Sequence, residues 1–161
     1  MDISLLRLFF QSRQAWPLQI GVAGCGDGSA ALALARAGHQ VYAADADPAA
    51  VALARQLGGA DMLVDVAGPH ALPWPSHSLD LCVAPHGWDG AFGELMRVIR
   101  PGGALFLDQA GADMRTRLVL AGVAWLDQIS CPDGGLFAFK PVQADCCPAA
   151  AERRPCCDPA A

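Results

Sequence analysis

The chain has 161 residues, a length that one domain fills. Hydrophobic residues make up 53% and charged residues 17%, which excludes a mainly disordered chain. The net charge is −5 and the pI about 5.1, so there is no broad basic field and nucleic acid is a poor default partner.

No run approaches the ~18 continuous apolar residues of a membrane span, so no membrane partner is expected. The apolar patch of MDISLLRLFFQSRQAW is interrupted by Arg7, and no small-residue cleavage site follows it. The segment does not read as a signal peptide, and the expected compartment is cytoplasmic. Seven cysteines in that compartment point to free thiols, metal ligands or redox work rather than to a disulfide framework.

Residues 3–15 fit one amphipathic helix, with Leu5, Leu6, Phe9 and Phe10 on or near one side, and Pro17 ends it. Leu18 to Ala23 is an apolar run that fits a buried strand. The glycine turn GCGDGS, Gly24 to Ser29, leads into a helix over 29–38. Gln40 to Ala44 is a second strand. Asp47 and Pro48 read as the N-cap and first position of a helix reaching Gln56, which Gly58 and Gly59 stop.

Asp61 to Asp65 is a short third strand, followed by a loop over 66–78 that holds Pro69, Pro73 and Pro75. Leu79 to Ala84 is a fourth strand and 89–99 a helix. Pro101-Gly102-Gly103 predicts a sharp turn before a fifth strand, Ala104 to Leu107. Residues 112–121 are helical. Val123 to Ile129 and Leu136 to Phe139 fit an antiparallel hairpin around Pro132-Asp133-Gly134-Gly135. Strands alternating with helices predict a three-layer α/β fold, a parallel sheet covered on both faces. Such sheets bind ligands beyond the C-terminal strand ends, at the switch point. After about residue 141 the periodicity stops. The expected organisation is therefore a domain over 1–141 and a cysteine-rich tail over 142–161.

The glycine turn between the first strand and first helix allows close backbone approach to a ligand. Asp45 ends the second strand 19 residues after Gly26, where a carboxylate suits a ribose diol. This pair fits any nucleoside ligand, and a tight turn without a ligand is the other reading. The dinucleotide pattern G-x-G-x-x-G needs a third glycine where Ser29 stands, and no second domain is left for hydride transfer. A nicotinamide-dependent reductase is therefore disfavoured.

IGVAGCGDG, VYAADADP, the Asp65 loop, SLDLCVAP and ELMRVIRPGGALFL together resemble class I S-adenosylmethionine-dependent methyltransferases in order and spacing, over about residues 18–140. The resemblance implies a Rossmann-like fold, with a mostly parallel seven-stranded sheet whose last two strands form the antiparallel hairpin. It implies S-adenosylmethionine as cofactor. Gly24, Cys25, Gly26 and Gly28 would face its methionine part. Asp45 would bind the ribose hydroxyls and Ala46 would pack on adenine. Asp65 would accept from the adenine amino group, with Val66 beside the ring. Pro85 and His86 would face the sulfonium side. Two departures stand out. Val22 occupies a position that is often acidic in the family, and APHGW replaces the Asn/Asp-Pro-Pro-aromatic signature of many amino-group methylases.

Methyl transfer is an in-line displacement that depends on positioning, and a base is needed only when the acceptor loses a proton. His86 is the candidate base by position, against a loop histidine without a chemical role. Asp89 reads as a helix N-cap, and Trp88 as a pocket wall or a packing residue. Cys146-Cys147 and Cys156-Cys157 are adjacent pairs separated by eight residues. Four such thiolates can wrap a thiophilic metal or metalloid, although the spacing is not a zinc signature.

The favoured function is methyl transfer to a small acceptor, a thiol or thiophilic metalloid. A protein partner that completes the substrate site is a further expectation, since few elements remain to cover a substrate. The alternative is a non-catalytic methyltransferase-like module whose tail binds a metal or cluster, as in the anamorsin family, which also joins such a domain to a cysteine-rich tail.

Overall fold

The computed structural model describes residues 17–84, 91–108, 110, 113–120, 128–130 and 134–142. The helix expected over 3–15, Pro85, His86, Trp88, Asp89 and the four tail cysteines lie outside the described residues.

The elements run β1 (Gln19–Ala23), α1 (Ser29–Arg36), β2 (Gln40–Asp45), α2 (Pro48–Gly58), β3 (Met62–Val66), β4 (Leu79–Ala84), α3 (Phe92–Val98), β5 (Ile99–Leu107), α4 (Met114–Leu120), β6 (Gln128–Ser130) and β7 (Leu136–Phe139). They form one seven-stranded sheet in the order β3-β2-β1-β4-β5-β7-β6. The first five strands in chain order pair in parallel, and β7 pairs antiparallel with both β5 and β6. This is the expected mostly parallel Rossmann-like sheet with its closing antiparallel hairpin.

Apolar residues fill both faces of the central strands. Ile20, Val22, Val41, Val64, Leu81 and Val83 pack against Leu32 and Leu34 of α1 and Val51 and Ala54 of α2. Leu79, Cys82, Leu105 and Leu107 pack on the other face, against Leu95 of α3, Leu118 of α4 and Trp74 of the loop after β3. β4 is buried at all six positions, as expected of a central parallel strand with no polar face. Its one buried carboxylate, Asp80, is paired. Oδ2 accepts the Gln19 N–H at 2.8 Å, and Oδ1 meets Arg100 at 2.5 Å.

The cap on α2 forms as read from sequence. Asp47 Oδ1 accepts the Ala49 N–H at 2.9 Å, and Pro48 opens the helix. Gly59, at φ +55°, ends it by donating to the Arg55 carbonyl at 3.0 Å.

The turn predicted at Pro101-Gly102-Gly103 is corrected by the structure. β5 already begins at Ile99, and the three residues are a bulge within it. The register passes from Leu79↔Ile99 to Leu81↔Ala104, so two steps along β4 oppose five along β5. The bulge is held from outside the motif. Gly102 donates to the Lys140 carbonyl at 3.0 Å, and Lys140 donates back to Gly103 at 2.9 Å. Lys140 is the only lysine in the chain. Its ammonium donates to the carbonyls of Met96 and Ile99, both at 2.7 Å, which satisfies acceptors at the C-terminus of α3.

His39 lies between α1 and β2 and is buried. Its Nδ1 accepts the Leu18 N–H at 3.3 Å, and burial holds its pKa below the ordinary imidazole value. The unfolded state therefore takes up the proton first as pH falls. Stability should be full above about pH 6.5 and decline as pH drops below it. Urea midpoints at pH 8 and pH 5.5 check this. Wild type should lose more stability across that interval than His39→Gln, and identical losses would refute the assignment.

Candidate functional site

The C-terminal ends of β1, β2 and β3 meet beside the position where strand order reverses around β1. That is the switch point at which such sheets take ligands. The chain leaves β1 through Gly24, Gly26 and Gly28, all at positive φ (66°, 55° and 82°). L side chains rarely adopt this conformation, which explains the glycines at alternate positions. The turn is pinned to β2. Gly24 and Cys25 donate to the Ala44 carbonyl at 2.7 and 3.1 Å, and Gly28 donates to the Cys25 carbonyl at 3.0 Å.

Asp45 completes the attachment. Its Oδ2 accepts the Gly26 N–H and its Oδ1 accepts the Asp47 N–H, both at 2.9 Å. One carboxylate thus joins the glycine turn to the start of α2. A carboxylate has about four acceptor positions, so two remain for ligand hydroxyls. Asp27, within the turn, accepts the Ser29 N–H at 3.0 Å, and its bonds to Ser29 hold it below the usual carboxylate range.

The glycines serve different purposes. A Cβ built on Gly26 meets nothing within 4 Å, so this part of the turn fronts open space. A Cβ on Gly28 would lie 2.7 Å from Ala54 Cβ and 2.9 Å from Met62 Cε. Gly28 therefore lets the start of α1 approach α2 and β3 closely, a packing requirement as well as a conformational one.

Cys25 is buried, and its Sγ lies 3.8 Å from the Gly26 carbonyl oxygen. Burial first, and the Asp45 charge second, push its thiol up to about 11. It is protonated at neutral pH and is no nucleophile. Cys82 is wholly buried in β4, which pushes its thiol up to about 12, and it packs as a small apolar residue.

Asp45 and Val66 are register partners, as are Ala44 and Asp65. Ala46, Asp65 and Val66 are all exposed beside Asp45, so the residues expected around an adenine ring come to one sheet end. Asp65 Oδ1 lies 3.8 Å from Arg55 of α2, and Arg55 Nε donates to the Val64 carbonyl at 2.8 Å. No local motif links Arg55 to Val64 or Asp65, so the sequence alone assigns it no role. Val22, at the position that is often acidic in the resembling family, is buried with Val83 in the apolar cluster under α1 and α2. An acid there would be desolvated, so valine suits this packing.

A family profile described as "Methyltransferase domain" matches residues 22–107, just over half the chain. The chain belongs to the class I S-adenosylmethionine-dependent methyltransferases. No curated protein matches the sequence. Among solved structures, this methyltransferase-family chain is similar to a TehB-like S-adenosylmethionine-dependent methyltransferase from Corynebacterium glutamicum. The identity is 19% and the TM-score 0.65, with 84% of this chain and 85% of that chain covered. It is also similar to such a methyltransferase from Aquifex aeolicus, with 16% identity, a TM-score of 0.63 and coverage of 83% and 87%. A third is a putative methyltransferase in complex with the Trm112 methyltransferase activator from Haloferax volcanii. It shows 16% identity, a TM-score of 0.56 and coverage of 76% and 59%. Against several other solved structures the chain spans 43% to 55% of the matched protein.

Within the methyltransferase family's arrangement, the described residues bring Gly24, Cys25, Gly26, Gly28, Asp45, Ala46, Asp65 and Val66 to one end of the sheet. Pro85 and His86 follow directly on Ala84, the last residue of β4, but lie outside the described residues. Among the described residues, no group of three His, Cys, Asp or Glu side chains could hold a metal ion. No described helix is long and apolar enough to cross a membrane.

Proposed function

We propose that the protein binds S-adenosylmethionine across residues 24–28 and transfers its methyl group to a small acceptor, a thiol or a thiophilic metalloid. The observation that carries this reading is the Asp45 carboxylate, which bridges Gly26 and Asp47 beside a glycine that faces open space. When bound, the cofactor supplies an electrophilic methyl group on a sulfonium. The chain's own residues do the positioning. Gly24, Cys25, Gly26 and Gly28 approach the methionine part, and Asp45 accepts from the ribose hydroxyls. Ala46 and Val66 flank adenine, and Asp65 accepts from its amino group. Pro85 bounds the sulfonium side, and His86 removes a proton where the acceptor carries one.

In this reading the domain over 1–141 carries the cofactor. Cys146, Cys147, Cys156 and Cys157 of the tail over 142–161 capture the thiophilic acceptor or a metal. A soft acceptor with its own lone pair needs no general base. The Haloferax relative was solved with an activator protein, and a protein partner here would complete the cover over the acceptor.

The test is product formation. Reduced full-length protein is incubated with the methyl donor and separate panels of arsenite, small thiols and phenols, and S-adenosylhomocysteine is measured. Turnover is expected with thiol or metalloid acceptors. Replacing the four tail cysteines by serine should raise the acceptor KM and leave cofactor affinity unchanged. The absence of S-adenosylhomocysteine with every acceptor would refute the enzymatic reading.

A further inference from the structure

The twelve residues 67–78 join β3 to β4 without helix or strand, yet Leu72 and Trp74 within them are each only 5% exposed. Both precede proline, and Pro73 and Pro75 supply no N–H. The buried carbonyls of this segment therefore need donors from elsewhere.

One side chain provides them. Arg97 of α3 donates through Nη1 to the Trp74 carbonyl at 3.0 Å and the Ser76 hydroxyl at 3.2 Å. Through Nη2 it donates to the Leu72 carbonyl at 3.2 Å. Glu94, one turn earlier, grips the same guanidinium in a fork, with Nε to Oε1 at 2.8 Å and Nη2 to Oε2 at 2.9 Å. Glu94 Oε2 also accepts the Leu72 N–H at 3.1 Å. The backbone of α3 adds to this. The Arg97 and Val98 carbonyls accept the N–H groups of His77 and Ser78, both at 2.9 Å.

The clamped segment is tied to the cofactor site at one end and to the sheet in its middle. It begins directly after Val66, and its first residue, Ala67, donates to the Asp45 carbonyl at 2.9 Å. Trp74 lies over Gly21 of β1, where a Cβ would come within 2.8 Å of the indole ring. The segment therefore fixes how β3 leaves the sheet beside Asp45, Asp65 and Val66.

We propose that Glu94 and Arg97 are positioning residues, a clamp that holds residues 67–78 as the rigid wall of the adenosine end, so that cofactor affinity depends on a pair outside the cofactor site. The inference rests on the cofactor reading given under Proposed function. Arginine is required because only its planar fork reaches a carboxylate and two separate carbonyls at once, and lysine keeps the charge but not the fork.

The experiment compares wild type, Arg97→Ala, Arg97→Lys and Glu94→Gln in calorimetric titrations with S-adenosylhomocysteine. Each is run at a temperature where circular dichroism shows it folded. Arg100→Ala serves as a control, because it breaks the Asp80 pair, which joins β5 to β4, and leaves the Glu94–Arg97 fork in place. Arg97→Ala should weaken binding about tenfold, and Arg97→Lys should recover only part of that loss. Glu94→Gln, which keeps the side-chain shape, should weaken binding by a smaller factor and guards against Arg97→Ala failing to fold. Amide exchange over 67–78 should accelerate in Arg97→Ala and not in Arg100→Ala.

If wild type binds and the clamp variants bind equally well, the clamp is refuted and the cofactor reading stands. If Arg100→Ala loses as much affinity as Arg97→Ala, the effect is general destabilisation and the clamp is again refuted. If wild type itself does not bind, the cofactor reading fails and the clamp's role fails with it.

Discussion

Asp45→Ala should weaken cofactor binding by at least about a hundredfold. A hydrogen bond to a charged group contributes about 1.5–3 kcal/mol, and the proposed site offers one carboxylate to both ribose hydroxyls. The combined loss of about 3–6 kcal/mol corresponds to roughly two to four decades of affinity at 1.4 kcal/mol per decade. The structure adds a second reason. The same carboxylate accepts the N–H groups of Gly26 and Asp47, so alanine also releases the glycine turn from α2. Asp45→Asn separates the two contributions. Its amide has one oxygen and two donors, so it can accept from Gly26 or Asp47 but presents an N–H to the other. Its affinity should fall between wild type and alanine, and amide exchange at Gly26 should rise in both variants. Calorimetry with S-adenosylhomocysteine checks the order. An alanine variant that binds within threefold of wild type would remove Asp45 from the site.

Gly28→Ala should destabilise the fold by about 2–5 kcal/mol. Positive φ costs a non-glycine residue about 1–2 kcal/mol, and overpacking adds about 1–3 kcal/mol. Both apply here, with φ at +82° and a Cβ 2.7 Å from Ala54 Cβ and 2.9 Å from its Cα. Ala54 is buried in α2 and its backbone cannot yield cheaply. At about 2–4 °C per kcal/mol, Tm should fall by roughly 4–20 °C. Gly26→Ala pays only the conformational term, because nothing lies within 4 Å of its Cβ. Its Tm should fall by a few degrees. Its Cβ, however, would occupy the open space that the cofactor reading assigns to the ligand, so its affinity should fall more sharply than its stability. Thermal melts and titrations on both variants test the contrast. A larger Tm loss for Gly26→Ala than for Gly28→Ala would contradict the assignment of the two glycines.

The contrast between these glycines also marks how far the sequence could be read. Alternation of strands and helices, the Asp47-Pro48 cap and the mostly apolar segment 79–84 are local signals, and each appears where the sequence places it. The Gly24 to Gly28 spacing located the turn but could not divide its glycines by purpose. Gly28 is constrained by Ala54 and Met62, which are distant in the chain. Pro101-Gly102-Gly103 carries strong turn chemistry, yet it forms a bulge because pairing with β4 and with Lys140 holds it in the sheet. The partners of Arg55 and Arg97 are likewise set by the fold and not by a local motif. The E-x-x-R spacing of Glu94 and Arg97 is visible on one helix face, but the Leu72 and Trp74 carbonyls that give it meaning lie more than twenty residues away.

In the proposed function, the turn at Gly24 to Gly28 and the carboxylate of Asp45 form a working S-adenosylmethionine site. Calorimetric titration of the cofactor into freshly reduced, metal-free, full-length protein tests it most directly. One site is expected, with a dissociation constant in the range of about 1 μM to 1 mM, the span typical of enzyme substrates. No measurable binding at several millimolar cofactor would contradict it.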